Sequence, residues 1–371
     1  PFFVRFIVRR PDTARHTPNS SSPLPCPLLT LDVRMFIAPL LSSCMVVVLP
    51  GRIVTTRIPR VKSIRIPEDR VYGSDPFPLT LTPTSSHTSL LALAEQHRDT
   101  LLALVAQNDA VLLRGFDAAA CAMDFSRFVT TLELGDFEMG CSAAPRTNQA
   151  PGVFTANEAP PSEPIPFHHE MAQCDEKPSY VLFFCEFPAV EDGATPIIPS
   201  SAVASYLREA HPAVAEKFAR LGVRYARTLP LEDDPSSPIG KSWRTAFSCS
   251  TQQEAEAAMR EMGTSWEWLP SGDVRTVTKR MPVLRKHAVT EQEMFFNAVV
   301  AASTGWVDAR NDPKKAVLFG DGSELDDAAL SALQDVHRWM EEARVAFEWQ
   351  AGDVLILDNF KAMREQPKID P

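Results

Sequence analysis

In the stretch Ile165-Pro166-Phe167-His168-His169-Glu170-Met171, two imidazoles and a carboxylate lie inside an otherwise apolar, strand-like run. On an extended strand successive side chains point to opposite faces, so His168 and Glu170 share one face and His169 points the other way. A neutral imidazole nitrogen and a carboxylate oxygen side by side are two of the three ligands of a 2-His-1-carboxylate facial triad. That set leaves open positions on Fe(II) for a co-substrate and dioxygen. The third ligand has to come from elsewhere in the chain. Spacing alone does not decide the matter, because His and Glu two apart are common on solvated sheet faces, so the decision rests on what flanks the motif.

The elements that must position these residues are mostly short strands. Period-2 patterns mark Gly152 to Ala156, Ile165 to Met171, Tyr180 to Phe187, Ala194 to Ile198, Gly222 to Thr228, Glu293 to Asn297, Val345 to Trp349 and Asp353 to Leu357. A hairpin is expected where Pro270-Ser-Gly-Asp273 separates Trp266–Leu269 from Val274–Val283. Helical spacing marks Ser89 to Gln107, the stretch from Asp117 to Leu134, Pro199 to Ala210, Pro212 to Leu221 and Thr251 to Met262. Ser323-Glu-Leu-Asp326 reads as a capping box opening a long helix with Leu325, Ala329, Leu333, Val336 and Met340 on one face. His337, beside Arg338 and four before Glu341 on that helix, is expected on a solvated face. About eight short strands with helices at their ends predict a mostly β domain with flanking helices, a double-sheet jelly roll of the cupin kind.

Several motifs fall in a telling order around the central one: Pro145-Arg146 and Val153 to Glu158 before it, Pro178 to Cys185 and Asp192-Gly-Ala-Thr195-Pro-Ile197 after it, then Trp349 to Asn359. Together they resemble the taurine dioxygenase and clavaminate-synthase-like family of Fe(II)/2-oxoglutarate-dependent oxygenases, over roughly Pro76 to Asn359. The resemblance implies a double-stranded β-helix and a dioxygenase that oxidises 2-oxoglutarate to succinate and carbon dioxide while hydroxylating a small organic substrate. It implies iron held by His168 and Glu170, and Thr195 beside the co-substrate, where a hydroxyl donor suits a carboxylate oxygen. Asn297 also matches a family position, without a role that the sequence provides.

One position departs from the pattern. The family's second iron-binding histidine comes five residues beyond the Asp-Asn pair, followed by an arginine for 2-oxoglutarate. Here that position is Arg364, in Asp358-Asn-Phe-Lys-Ala-Met-Arg364-Glu-Gln-Pro-Lys-Ile-Asp-Pro371. A guanidinium is permanently protonated and offers no lone pair to a metal. The alternative to an active enzyme is therefore a catalytically inactive jelly-roll protein of the same family, and the domain is expected to run over 66–371 with a truncated C-terminus.

The bulk properties set the remaining bounds. The 371 residues carry a net charge of −10, but residues 1–65 hold +8 of it and the rest −18. Residues 1–65 are thus expected to form a basic, loosely packed or transit-like extension, giving an organellar rather than a cytoplasmic location if it is a transit segment. An acidic body speaks against a nucleic-acid partner; a small-molecule partner is what the resemblance implies. The apolar run Phe36 to Leu49 is broken by Pro39 and falls short of the ~18 residues a membrane span needs. Seven scattered cysteines without a Cys-x-x-Cys pair predict neither zinc site nor disulfide framework, and Cys185 is expected to be a small buried apolar residue.

Overall fold

The computed structural model describes residues 2–8, 46–49, 52–55, 57–85, 88–117, 121–135, 147–156, 164–174, 177–189, 193–237, 239–287 and 290–367. Pro145-Arg146, Asn157, Glu158 and Asp192 of the motifs above lie outside these residues, as does most of 1–65.

The Tyr180–Phe187 strand is apolar at nearly every position because it is covered on both faces. Leu182 and Phe184 point one way, into a cluster with Phe125 and Phe128 of the helix Ala122–Thr131. The rings of Phe125 and Phe184 stack at 5.2 Å. Val181, Phe183 and Cys185 point the other way, toward Ile197, Trp349 and Ala362. Each such side chain fully buried contributes about 1.5–3 kcal/mol. Cys185 is fully buried as expected, and burial pushes its thiol up to about 12.

This strand lies within an eight-stranded sheet. Its order is Val61–Ile64, Leu79–Pro83, Ala110–Leu113, Val354–Asp358, Tyr180–Phe187, Phe2–Val8, Val153–Thr155 and Asn148–Ala150. Facing it across the Phe183–Ile197–Trp349 cluster is a sheet of three strands, with Ala362–Gln366 paired on one side to Ile165–His168 and on the other to Ile197–Pro199. The helices Leu90–Asn108 and Ala122–Thr131 cover the outer face of the large sheet. On the far side of the small sheet, the helices Ser200–Ala210, Pro212–Leu221 and Asp327–Ala343 enclose the largest core, around Phe167, Ile198, Phe218, Phe295 and Val336. A four-stranded sheet, Ser265–Trp268, Val274–Val277, Val223–Leu229 and Val317–Phe319, carries the hairpin expected at 270–273. No helix among the described residues is long and apolar enough to cross a membrane.

Three expectations are corrected in detail. The strand expected through Met171 ends at His168. Val345 to Trp349 is not a strand: Val345 makes one bridge to Ile197, and Phe347 and Trp349 alternate because they fill the space between the sheets. The long helix begins at Asp327, with Asp326 as its cap accepting the Ala329 N–H at 2.9 Å, so Ser323 does not cap it. The reciprocal capping box is found instead at Thr251 and Glu254.

Candidate active site

Pro166 has no N–H for the sheet, and the pairing slips along this strand: Ile165 faces Gln366, but His168 faces Arg364. The helix Val299–Gly305 packs tightly on the same strand; a Cβ at Gly305 would lie 2.7 Å from Pro166 Cδ. After His168 the chain turns, with Met171 at a φ of 54°. Strict alternation therefore fails beyond the strand end, and each of the three motif side chains has its own surroundings.

His168 directs Nδ1 at the Pro166 carbonyl oxygen, 2.8 Å away, which fixes a proton on Nδ1 and makes Nε2 the ring nitrogen that could hold a metal. His169, expected to point away from the pair, is not on a solvated face but 1% exposed. Its Nδ1 donates to the Asn297 carbonyl at 3.3 Å, its Nε2 accepts from Ser200 Oγ at 2.6 Å, and its ring lies 4.6 Å from that of Phe296. Burial, the largest cause, takes its pKa down to about 3, so the ring is neutral at physiological pH. Asn297 gives its side chain to local backbone, donating to Val283 O and accepting from Val299 N–H.

Glu170 is held by its backbone. Its N–H donates to Asn359 Oδ1 at 2.8 Å, and Asn359 Nδ2 donates to Glu170 O at 3.1 Å and Pro178 O at 2.8 Å. That clamp is what the Asp358-Asn359 pair contributes. The Glu170 carboxylate, in turn, accepts a hydrogen bond from Arg364 Nη2 as a buried ion pair, the two side chains 5% and 4% exposed. The Arg364 guanidinium carbon lies 5.6 Å from the Phe183 ring centre. Burial draws the guanidinium below its ordinary value and Glu170 pushes it back.

Thr195 stands two residues before Ile197, whose cross-strand partner is Arg364. Its hydroxyl accepts from Trp349 Nε1 at 3.2 Å, leaving its own proton to donate. So the structure gathers His168, Glu170, Thr195 and position 364 around the central strand of the small sheet.

Residues 77–363 match the family described as taurine catabolism dioxygenase TauD, TfdA family. The chain belongs to this family. It is 38% identical over 314 residues to a clavaminate synthase-like protein of Arabidopsis thaliana, covering 82% of this chain and 94% of that one. It is 28% identical to the dapdiamide synthesis protein DdaC of Enterobacter agglomerans, over 69% of this chain and 77% of the relative. Among solved structures, PvcB of Pseudomonas aeruginosa shares 15% identity and a TM-score of 0.47, over 84% and 86% of the two chains.

TauD/TfdA enzymes are oxidoreductases that use Fe(II) and take 2-oxoglutarate as co-substrate. In this member the residues at the corresponding place do not fit an iron centre. Two ligand-type side chains are present, but the third position holds a cation that already neutralises Glu170. A divalent ion about 4 Å from that guanidinium would meet roughly 8 kcal/mol of repulsion at an effective dielectric of about 20. Among the described residues no later histidine stands in as a ligand: His211 pairs with Asp335, His287 with Thr290 and His337 with Glu341. Among the described residues, the group of three metal-capable side chains includes neither His168 nor Glu170.

The sequence reading passed over Ser200, Asn359 and the pairing of Arg364 with Glu170. The last had a signal: a basic residue at a position where a buried ligand is expected needs an acid beside it. Ser200 had none, since its role depends on His169 lying in the core.

Proposed function

We propose that the chain carries the scaffold of an Fe(II)/2-oxoglutarate-dependent dioxygenase that hydroxylates a small organic substrate on a double-stranded β-helix, with Arg364 standing where the third iron ligand of such an enzyme belongs. His168 and Glu170 are its metal-facing residues, and Thr195 is its contact for the co-substrate carboxylate. The observation that carries this reading is the convergence of those residues on the strand that supplies position 364, within a chain whose family match covers residues 77–363. The chain's own part is to present His168 by Nε2, to fix the Glu170 backbone through Asn359, and to shield the place with Phe183 and Trp349.

A second reading is favoured by one specific observation, the buried Arg364–Glu170 ion pair. In a chain with arginine at 364 the scaffold is complete without metal, and the protein is a catalytically silent jelly roll. Succinate release from 2-oxoglutarate, with Fe(II) supplied, tests both. The chain with Arg364 should give no more succinate than the His168→Ala control, and Arg364→His should exceed it. Equal background from all three would remove the dioxygenase reading, and full turnover with Arg364 in place would remove the silent one.

A further inference from the structure

The strand Ala362–Gln366 presents neighbouring residues to opposite sides. Arg364 turns to Glu170, whereas Glu365 turns to the last turns of the helix Asp327–Ala343. There Glu365 meets His337 and Glu341, whose positions four apart place them on one helical face. His337 Nε2 lies 3.4 Å from Glu341 Oε1, and the candidate ligand atoms of all three residues lie within 4.8 Å of one another. Arg344 bonds both carboxylates through the same Nη1.

The charges in this group do not balance. Two carboxylates face one guanidinium, and Glu365 is only 5% exposed, so water does not supply the missing compensation. A proton must be shared within the group of His337, Glu341 and Glu365; consistent with this, burial and the neighbouring Glu341 push the Glu365 carboxyl well above the usual carboxylate range. Arg344 is 31% exposed, so its side chain can turn outward into solvent.

We propose that His337, Glu341 and Glu365 form a binding site for a divalent transition-metal ion, separate from the place around His168 and Glu170. One imidazole nitrogen and two carboxylate oxygens are a donor set for Zn²⁺ or Co²⁺, with water completing the tetrahedron. The exchange is charge-neutral. The +2 ion enters, the shared proton leaves for solvent, and the Arg344 guanidinium swings out, so two positive charges replace two. The ion would join the final helix to the strand that carries Arg364.

Titration of the full-length chain with Co²⁺, followed by its visible d–d absorption, and with Zn²⁺ by calorimetry, tests the proposal. One equivalent should bind, with the intense band of a four-coordinate site. His337→Ala, a change at a half-exposed position, should weaken Zn²⁺ binding by at least about tenfold. His168→Ala should leave the band unchanged, and Arg344→Gln should tighten binding because the competing guanidinium is gone. A Zn²⁺ dissociation constant weaker than about 1 mM in the unsubstituted chain overturns the proposal. So does a band that survives His337→Ala or disappears with His168→Ala.

Discussion

The two facing sheets are held together by different physics. In the large sheet, Val181 to Cys185 and Val354 to Leu357 are buried on both faces by apolar neighbours, and any one of them shares its load with many contacts. In the small sheet, His168, Arg364 and Glu365 are set among apolar residues, and each depends on one or two particular partners. Apolar burial tolerates replacement by something of similar volume; a buried charge tolerates almost nothing except removal together with its partner. The residues proposed to carry the family's chemistry gather at the small sheet, which is the less forgiving of the two.

The sharpest way to break this contrast is Arg364→Ala. It removes the buried cation paired with the Glu170 carboxylate and should cost about 3–5 kcal/mol in denaturant unfolding, while Arg364→Met combined with Glu170→Gln should recover most of that loss. If the double variant were as unstable as the single one, packing rather than charge would be holding the strand. Asn359→Ala should come next, at about 2–3 kcal/mol, because it leaves the Glu170 N–H and two carbonyls without a partner. A loss smaller than that of an exposed Asn elsewhere in the chain would show the clamp to be ornamental.

Acid probes the same side of the molecule through His169. Its folded pKa, about 3, lies below the unfolded value of about 6.5, so the neutral ring's contribution is fully present above the unfolded value. As pH falls below about 6.5 only the unfolded chain gains the proton, and stability should decline by up to about 1.4 kcal/mol per pH unit until about pH 3. Removing the imidazole with His169→Gln should flatten that slope between pH 6 and 4, as read from unfolding midpoints. On the large sheet, by contrast, Phe184→Leu should cost only about 1 kcal/mol, measured by the same denaturant titration. A larger loss than for Asn359→Ala would reverse the ranking of the two sheets.

The same contrast governs how much was legible from residues alone. Tyr180 to Phe187 was readable to its exact ends, and the helices at 200–210 and 212–221 nearly so, because apolar periodicity reports burial directly. The small sheet was harder. Its central strand, Ala362–Gln366, contains Arg364 and Glu365 and shows no apolar period, so nothing local announces it. Phe347 and Trp349 mimic a strand because they fill the gap between sheets. His168 and Glu170 could be singled out, but the burial of His169 could not. It depends on Ser200 and Asn297, which lie far along the chain and become neighbours only through the fold. His337, read as a residue of a solvated face, is half-buried for the same reason: Glu365 arrives from a different element.

The middle strand of the small sheet also sets an order of events during synthesis. Glu170 and Asn359 are separated by 189 residues, so a nascent chain exposes the His-His-Glu turn long before its clamp leaves the ribosome. The large sheet is likewise incomplete until Val354–Asp358 emerges to join Tyr180–Phe187 to Ala110–Leu113. Such distant pairings fold slowly, since the loop must close before the contacts reward it. Throughout that wait the Tyr180–Phe187 segment, apolar on both faces, has an open edge, the kind of surface that pairs wrongly with another chain until its own partner strand arrives.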